Sequence, residues 1–386
     1  MMPKPESAVQ LLPVDTYFSG EWHRREQAEM FSRNWGWAGM LSDFSAPGDY
    51  RTVQIGNCPL VVLRNLEDDL VAYHNVCRHR GMALLEGAGN TRTGIRCPYH
   101  YWNYDLSGNL RSLPHEKELF AGLDRSTRSL KAASIGILDQ MVFVNPVAEP
   151  EEPFDAWLAE IPDNIWPHAL SKLIETHAVR YEINCNWKIF VENAIDAYHL
   201  SYLHAATLGG PDALNYDWLA AGRHWIFLGK GADTPQRTQS AMPPIPEFDT
   251  SAGGPLVWWM FPNVGVLATS VFWSAIQVVP VTPEHCYVDV RTWISAEPHA
   301  EEGYHLLFPG TGADSVDTKS IALGDVVGHP LDSGDFMIED MWVCEGLQRS
   351  LHSPAYHVDK LAGNAESSIT FFQQNLLDFV PLPDVS

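Results

Sequence analysis

The chain has 386 residues, 45% of them hydrophobic and 19% charged. This length exceeds what one hydrophobic core usually organises, and the composition is that of a globular protein, so two domains are expected. The formal net charge of −23 argues against a nucleic acid as a partner. Residues 51–131 hold 11 Lys or Arg and 8 Asp or Glu, a balance of +3 that leaves −26 for the rest. This basic island could guide an acidic partner to one face, or its arginines could simply be scattered.

The start of the chain lacks the basic residues and apolar run of an export signal, so a cytoplasmic location is expected. Residues 19–35 are predicted to form an amphipathic helix that ends at Gly36. Its large apolar side chains, on or near one side, are Trp22, Met30, Phe31 and Trp35. We expect this segment, residues 1–36, to pack on the second domain.

Residues 37–147 are predicted to form a small all-β domain. Short alternating runs, such as Tyr50–Ile55 and Leu70–Asn75, are broken there by Gly, Pro and Asn. A linker rich in Pro and Glu, Pro146–Pro153, marks the boundary. The second domain is therefore expected to comprise residues 148–386.

The second domain mixes both element types. Strands are predicted at 177–183, 222–229 and 256–294, and helices at 187–204 and 335–352. This pattern predicts an α+β fold in which helices pack on an antiparallel sheet.

One stretch of that domain, from Pro255 to Pro283, contains no charged residue and is long enough to span a bilayer. However, Pro262-Asn263 and Gly265 interrupt it with turn residues. Buried strands therefore fit the stretch better than a membrane helix, and no membrane is expected as a partner.

The first domain contains a group of metal-ligand residues. Cys77 and His79 form a C-x-H pair, and Cys97 and His100 form a C-x2-H pair after 17 intervening residues. Two thiolates and two imidazoles on two loops make a four-ligand metal site, which structural zinc would also accept. An iron–sulfur cluster is favoured because each half pairs one Cys with one His, so the cysteines can hold one iron and the histidines the other. The other four cysteines look like small buried hydrophobes, and no disulfide framework is expected.

A second group of ligand-type residues, Asp196, His199 and His204, follows in the second domain. Two histidines near one carboxylate suggest the ligand set of non-haem Fe(II) oxygenases, which leaves positions free for oxygen. The two histidines would be about 140° apart on an ideal helix, too wide for one face. A π-bulge or helix break around Leu200–Leu203 is therefore predicted.

The third ligand should lie far downstream, on the helix predicted at 335–352. Asp340 lies at the centre of its apolar stripe, where a carboxylate is costly unless it is paired or metal-bound. That stripe consists of Phe336, Val343, Cys344, Leu347 and Leu351. Glu339 lies at its edge, and Glu345 forms an i,i+4 pair with Arg349 on the outer side. Asp340 is therefore the better ligand.

Two motifs carry a resemblance to a known family. Cys77-x-His79-Arg80-Gly81, followed by Cys97-Pro98-Tyr99-His100-x-Trp102-x-Tyr104-Asp105-x-x-Gly108, resembles the Rieske domain of ring-hydroxylating oxygenases over most of residues 37–147. The chain departs from it at Tyr101, where these proteins commonly have Gly. The segments Asn186–His204 and Asp335–Gln348 resemble the catalytic domain of the same family, so both halves indicate one family.

The resemblance implies roles for these residues. Those matching Cys77, His79, Cys97 and His100 hold a [2Fe–2S] cluster, and those matching His199, His204 and Asp340 hold a mononuclear Fe(II). The aspartate matching Asp196 bridges to a cluster histidine of a neighbouring subunit, here His100, which implies a homotrimer. The alternative for Asp196 is a helix residue paired with Lys188 or another basic residue.

The resemblance also implies an oxygenase that uses O2 and electrons from NAD(P)H, delivered by a separate reductase or ferredoxin. No glycine-rich dinucleotide fingerprint follows a predicted strand, which agrees with a separate reductase chain. The alternative is a Rieske electron carrier whose second domain only binds a partner. A carrier has no use for a second iron, so His199, His204 and Asp340 discriminate between the two.

The substrate is left open between an aromatic acid and a quaternary ammonium compound. The form of the motifs around Asn186 and His199 looks closer to the branch that includes glycine betaine and carnitine oxygenases. Five aromatic residues could line an apolar pocket or cage a cation, or could be plain core. They are Trp258, Trp259, Phe261, Phe272 and Trp273.

Overall fold

The computed structural model describes residues 8–159, 161, 170–208, 216–229, 242–245, 256–307, 319–358 and 360–383. The chain divides into two compact units. The first unit is Arg25–Trp157, and the second unit combines Met1–Arg24 with Leu158–Ser386. The division at Arg25 falls inside the helical run expected at 19–35.

That helical run is present but changes pitch twice. Helix α1 covers Gly20–Arg25, a π-helical turn covers Glu26–Met30, and a 3₁₀ turn covers Phe31–Arg33. The Ser32 hydroxyl donates to the Gln27 carbonyl at 2.7 Å and so occupies a backbone acceptor of the wide turn. The prediction of one regular helix was therefore wrong in its regularity, although its extent was nearly right.

The first unit is all-β apart from short helical turns. A seven-stranded antiparallel sheet has the order β1-β10-β9-β4-β3-β2-β5, and a three-stranded sheet has the order β6-β7-β8. The strands are β1 Gly36–Met40, β2 Asp49–Ile55, β3 Cys58–Arg64, β4 Leu70–His74, β5 Ala88–Asn90, β6 Ile95–Arg96, β7 Asn103–Tyr104, β8 Leu110–Ser112, β9 Ala132–Leu138 and β10 Met141–Asn145. Helix α2 covers Glu116–Leu119, and α3, Phe154–Leu158, lies at the unit's end. One of its core clusters includes Cys77, Cys97, Trp102 and Tyr104.

The second unit contains an eight-stranded sheet of order β12-β13-β14-β15-β16-β17-β11-β18. Its neighbours are antiparallel except β11 and β18, which pair in parallel. The strands are β11 Leu173–Ile183, β12 Tyr216–Ala221, β13 His224–Gly229, β14 Leu256–Met260, β15 Val264–Ala268, β16 Phe272–Thr282, β17 His285–Ser295 and β18 Lys319–Ala322. The helices are α4 Trp187–Ile195, α5 Leu200–Leu203, α6 Ala300–Leu307, α7 Phe336–Leu351 and α8 Gly363–Phe379.

The predicted fold class, a β domain followed by an α+β domain with an antiparallel sheet, is confirmed. The described part of the uncharged stretch forms β14, β15 and β16. Among the described residues, no helix has the length and apolar character needed to cross a membrane. The six cysteines, all within the described residues, form no disulfide.

The N-terminal segment is tied to α4 and α8 by a buried hydrogen-bond group. The Tyr17 hydroxyl donates to Glu192 Oε1 at 2.7 Å, and Gln373 Nε2 donates to the same oxygen at 2.8 Å. Gln373 Oε1 accepts the Leu11 amide at 2.7 Å. Burial raises the pKa of Glu192 to about 7, although the hydrogen bonds from Gln373 and Tyr17 act to lower it.

The raised pKa of Glu192 predicts that the free energy of unfolding depends on pH, and that Glu192→Gln removes this dependence. Because the folded pKa lies above the usual 4.5, the folded state binds more protons between these values, and the free energy of unfolding falls as pH rises through that window. Glu192→Gln keeps both hydrogen bonds to Oε1. It should gain on the order of 2 kcal/mol relative to wild type between about pH 5 and pH 7.5.

Urea unfolding at a series of pH values measures this difference. Glu302→Gln, at a carboxylate whose side chain is 74% exposed, is the matched control and should show no such trend. A difference between Glu192→Gln and wild type that is constant with pH would contradict the prediction.

Candidate metal centres

The two cysteine loops of the first unit share one backbone construction. Gly81 N donates to Cys77 O and Tyr101 N donates to Cys97 O, both at 3.0 Å. In each loop, the cysteine amide also donates to the carbonyl five residues further on. The sequence therefore builds the same turn twice and places one thiol in each.

Both turns require left-handed backbone at the residue four positions after the cysteine. Gly81 has φ of 78° and Tyr101 has φ of 55°. A side chain in this region costs roughly 1 kcal/mol, which glycine avoids. The Tyr101 ring is 60% exposed, so the side chain meets no obstacle. The departure from the usual Gly thus leaves the loop conformation intact.

The four residues expected to hold the cluster converge at these loops. The thiols of Cys77 and Cys97 are buried, and the rings of His79 and His100 have centroids 4.6 Å apart. Burial raises the pKa of the Cys77 thiol, and the adjacent Cys97 thiol raises it further. His79 Nδ1 is buried without a hydrogen-bond partner among the described residues. Neighbouring thiols beside an unpaired imidazole nitrogen fit a cluster held by two Cys and two His.

Tyr104 contacts one of these thiols. Its hydroxyl lies 3.5 Å from Cys77 Sγ and accepts the Arg78 amide at 3.0 Å. Because Arg78 N–H occupies an oxygen lone pair, the hydroxyl hydrogen can point at the sulfur. In the sequence Tyr104 stands out only as part of the motif, and nothing there indicates this contact.

A helix break positions the residues of the second centre. Helix α4 stops at Ile195 because the Asp196 side chain accepts the Tyr198 amide at 2.6 Å, in place of continued helical bonding. One further turn, α5, then runs between His199 and His204. The predicted break around Leu200–Leu203 was therefore wrong in its position: those residues are helical and the break precedes His199.

Three ligand-type atoms of the second unit lie close together. His199 Nε2 is 3.2 Å from His204 Nε2, which is 3.0 Å from Asp340 Oδ1. His199 Nε2 is 3.8 Å from the same Asp340 oxygen. Ligand bonds of about 2.1 Å at right angles would separate neighbouring donor atoms by about 3 Å. These three side chains form a compact group that could hold a metal ion.

The tautomers of the two rings follow from their other nitrogens. His199 Nδ1 is 3.1 Å from Asp196 Oδ2, and His204 Nδ1 is 2.6 Å from Glu339 Oε2. Ionised carboxylates only accept, so each Nδ1 carries a hydrogen and each neutral ring presents an Nε2 lone pair. Two such lone pairs and the Asp340 carboxylate repel one another unless a cation lies between them. The donor set therefore fits a metal ion.

A proton is the alternative occupant. Burial lowers the pKa of His204, but its hydrogen bonds to Asp340 and then Glu339 outweigh this, so that the pKa is raised above the usual value. The same negative surroundings that attract a metal ion therefore also attract a proton.

Two further residues contact the ligand-type side chains. Asn193 Nδ2 donates to Asp340 Oδ1 at 2.8 Å, and Thr207 Oγ1 donates to Glu339 Oε2 at 2.8 Å. Neither contact was predicted from the sequence, where Glu339 lies only at the edge of an apolar stripe. Its position beside Asp340 on one helix was the available signal.

The buried face of α7 differs from the predicted stripe. Leu347 is 45% exposed, whereas Gln348 is 3% exposed, so the buried face is rotated by roughly 60° from the expected centre. Glu345 does approach Arg349, at 3.8 Å, but it is buried and accepts from Asn184. The prediction that this pair lies on the outer side was wrong for Glu345, because Asn184 draws its carboxylate inward.

Other expectations are resolved by contacts of the second unit. Lys188 Nζ donates to Thr16 O at 3.0 Å, while Asp196 bonds His199, so the alternative pairing of Asp196 with Lys188 does not occur among the described residues.

The five aromatic residues considered for a substrate pocket, Trp258, Trp259, Phe261, Phe272 and Trp273, are all buried. Trp258 and Trp259 are neighbours in β14, and so point to opposite faces of the sheet, as do Phe272 and Trp273 in β16. Together they are core and do not line one cage.

Comparison with known families identifies the chain. Residues 34–131 match the Rieske [2Fe-2S] domain, and residues 170–382 match the catalytic domain of the ring-hydroxylating alpha subunit. The chain belongs to the Rieske-type ring-hydroxylating oxygenases. It is therefore an oxidoreductase with a [2Fe–2S] cluster and a mononuclear iron as cofactors and O2 as co-substrate. This favours the iron–sulfur cluster over structural zinc and the oxygenase over the electron carrier.

Several relatives of this oxygenase act on different substrates. It is 26% identical over 378 residues to choline monooxygenase of Beta vulgaris, covering 95% of this chain and 76% of that protein. It is 31% identical over 212 residues to the oxygenase subunit of glycine betaine monooxygenase of Chromohalobacter salexigens, covering 53% of this chain and 45% of that protein.

Solved structures share the fold. The quaternary ammonium Rieske monooxygenase CntA with L-carnitine gives a TM-score of 0.76 at 21% identity, over 97% of this chain and 96% of that one. Naphthalene 1,2-dioxygenase of Rhodococcus sp. gives 0.72 at 17% identity, over 96% and 95%. Rieske oxygenases take electrons from a separate reductase or ferredoxin and are typically oligomeric.

The Tyr104 contact predicts a shift in the cluster's reduction potential. A hydrogen bond to a ligand sulfur stabilises the more negative, reduced cluster, so Tyr104→Phe should lower the potential. A bond worth about 1 kcal/mol corresponds to about 40 mV for one electron. Potentiometric titration followed by the cluster's absorption measures this. Tyr73→Phe, in the same core cluster with its hydroxyl near Leu106 O, is the matched control. Equal potentials for Tyr104→Phe and wild type would contradict the prediction.

Proposed function

We propose that this chain is the terminal oxygenase of a Rieske system that oxidises a quaternary ammonium compound. In this proposal Cys77, His79, Cys97 and His100 hold the cluster. His199, His204 and Asp340 hold the mononuclear iron. The observation that carries the proposal is the convergence of these last three donor atoms, at 3.0–3.8 Å, with both Nδ1 atoms committed to carboxylates.

The protein's own residues prepare this site for its metal. Asp196 and Glu339 hold the two imidazoles in the tautomer that presents Nε2, and Asn193 orients Asp340. Three protein ligands would leave other positions of an iron free, and the iron would supply the activation of O2. Burial of His204, at 1% exposure, keeps bulk water from that ring.

Asp196 is the proposed entry point for electrons. Its side chain keeps 15% exposure while one oxygen is bound to His199, so a lone pair remains for a donor from outside. The donor proposed is His100 of a neighbouring copy, in a homotrimer. Exposed tyrosines surround both positions and suit such an interface: Tyr99 and Tyr101 beside His100, and Tyr198 and Tyr202 beside His199.

The substrate class is inferred from the relatives, which include choline and glycine betaine monooxygenases. In a trimethylammonium compound, a carbon bound to the nitrogen would be hydroxylated, and hydroxylation of a methyl carbon would lead to demethylation. An aromatic acid is the second candidate. The similarity to chlorobenzene dioxygenase subunit alpha of Cupriavidus sp., 30% identical over 53% of this chain, supports an aromatic ring in the substrate but not the acid group. The cytoplasmic location stays a prediction, because the plant relatives are chloroplastic.

Metal content and oxygen uptake test the function. Anaerobically purified protein should contain about three irons and two acid-labile sulfides per chain. Asp340→Asn should contain about two irons, because a neutral amide is a weaker ligand for a hard cation, and should lose oxygenation with the cluster spectrum intact. Choline, glycine betaine and carnitine should stimulate oxygen uptake with a reductase, and benzoate should not. Two irons in the wild type, or stimulation by benzoate alone, would contradict the proposal.

Asp196→Asn tests the electron route separately. The variant should keep its third iron and a reducible cluster, but reoxidation of the reduced cluster by substrate and O2 should slow by about 10–100-fold. Stopped-flow absorption of the cluster in a single turnover measures that rate. Asp378→Asn, at a 46% exposed carboxylate paired with Arg223, is the control and should behave as wild type. Unchanged reoxidation in Asp196→Asn would remove Asp196 from the route.

A further inference from the structure

Glu339 is the least exposed carboxylate of the second centre. It is 1% exposed, and its Oε2 accepts from His204 Nδ1 at 2.6 Å and from Thr207 Oγ1 at 2.8 Å. We propose that Glu339 is a positioning residue that determines how tightly the mononuclear site holds its metal. It would do so by fixing the His204 ring and by adding a second buried negative charge. This inference rests on the proposed function, since it assumes that His204 is a ligand.

Neighbouring residues of α7 flank the two sides of one ring. Glu339 and Asp340 point about 100° apart on the helix, and the His204 imidazole lies between them, with Nδ1 toward Glu339 and Nε2 toward Asp340. The Phe336 ring stands edge-on to the same imidazole, with centroids 6.2 Å apart. A ring held at Nδ1 inside the protein cannot rotate away from the metal position without breaking that buried hydrogen bond.

The charges near Glu339 also favour a cation. Among the described residues, its only ion-pair contact within 4.0 Å is with His204, and the Asp340 carboxylate lies across the same ring. Asn193 and Thr207 donate to these carboxylates without adding charge. Two buried carboxylates with no Arg or Lys partner are costly unless a positive charge offsets them. A divalent ion at the three convergent donor atoms would balance both.

The two carboxylates behind the histidines differ in exposure, which separates their roles. Asp196, behind His199, has a side chain that is 15% exposed, and Glu339, behind His204, is 1% exposed. Only Asp196 can meet a group from outside, whereas Glu339 can act only on the metal through His204. Loss of Glu339 should therefore weaken metal retention, which loss of Asp196 is not expected to do to the same degree.

The affinity for Fe(II) tests the inference. It is measured on the full chain with its cluster in place, after selective removal of the mononuclear iron. A competing chelator reports Fe(II) binding, and the Rieske absorption verifies an intact cluster and fold. Glu339→Gln keeps an acceptor for His204 Nδ1 but loses the charge, and should bind Fe(II) about 10-fold more weakly. Glu339→Leu loses both the acceptor and the charge, and should bind Fe(II) about 100-fold more weakly. Co(II) in place of Fe(II) should show shifted visible absorption in Glu339→Gln, because a neutral partner lowers the basicity of His204.

The matched control is Glu345→Gln, a buried carboxylate on the same helix that accepts from Asn184. It should bind Fe(II) as wild type does. Equal Fe(II) affinity in wild type and Glu339→Leu would overturn this inference and leave the proposed function standing. If Glu339→Leu does not fold, equal affinity and an unshifted Co(II) spectrum in Glu339→Gln overturn it. If the wild type itself takes up no third iron, the proposed function fails and this inference with it.

Discussion

The second centre depends on one electrostatic constraint, the repulsion among three acceptor atoms that the fold forces together. His199 Nε2, His204 Nε2 and Asp340 Oδ1 lie 3.0–3.8 Å apart. Each ring's other nitrogen is committed to a carboxylate, so neither neutral ring can turn a hydrogen toward the group. The free energy of folding must therefore include the cost of this convergence, and a bound cation offsets it. A centre built in this way is specific for positive charge before any substrate arrives.

The local backbone follows from the same side chains that carry the chemistry. Asp196 ends α4 by accepting the Tyr198 amide and also accepts from His199 Nδ1. One residue thus breaks the helix, which permits His199 and His204 to converge, and orients the first of those rings. The cysteines of the first unit likewise serve both the backbone and the site. The carbonyl of each cysteine accepts the hydrogen bond that closes its loop, and its thiol lies inside the core.

Much of this architecture is readable from sequence because it is local. Cys77, His79, Cys97 and His100 are close in the chain, so their spacing alone predicts two loops and a shared site. The fold class likewise follows from short alternating runs in one half and mixed periodicity in the other. The position of the helix break was not readable, since it depends on whether the Asp196 side chain or the next backbone carbonyl accepts an amide hydrogen.

Contacts between distant segments were harder still. Periodicity misplaces the centre of the apolar stripe that contains Asp340. Leu347 is exposed, and Glu345 is drawn inward by Asn184, which is far away in sequence. Periodicity gives no signal for Glu339 for the same reason. It measures the hydrophobicity of a helix face and cannot show that a buried histidine lies opposite that face.

The two histidines of the second centre are chemically alike but differ in their surroundings, and this asymmetry decides what each can do. The side chain of His199 is 18% exposed and that of His204 is 2% exposed. A carboxylate at the exposed ring remains accessible to a partner, which suits the proposed exchange of electrons with another copy of the chain. A carboxylate at the buried ring feels a lower effective dielectric, so its charge acts more strongly on a metal ion on the far side of the imidazole. In the proposed function both rings hold the metal, but the carboxylate behind His204 affects its retention and the carboxylate behind His199 receives the electrons.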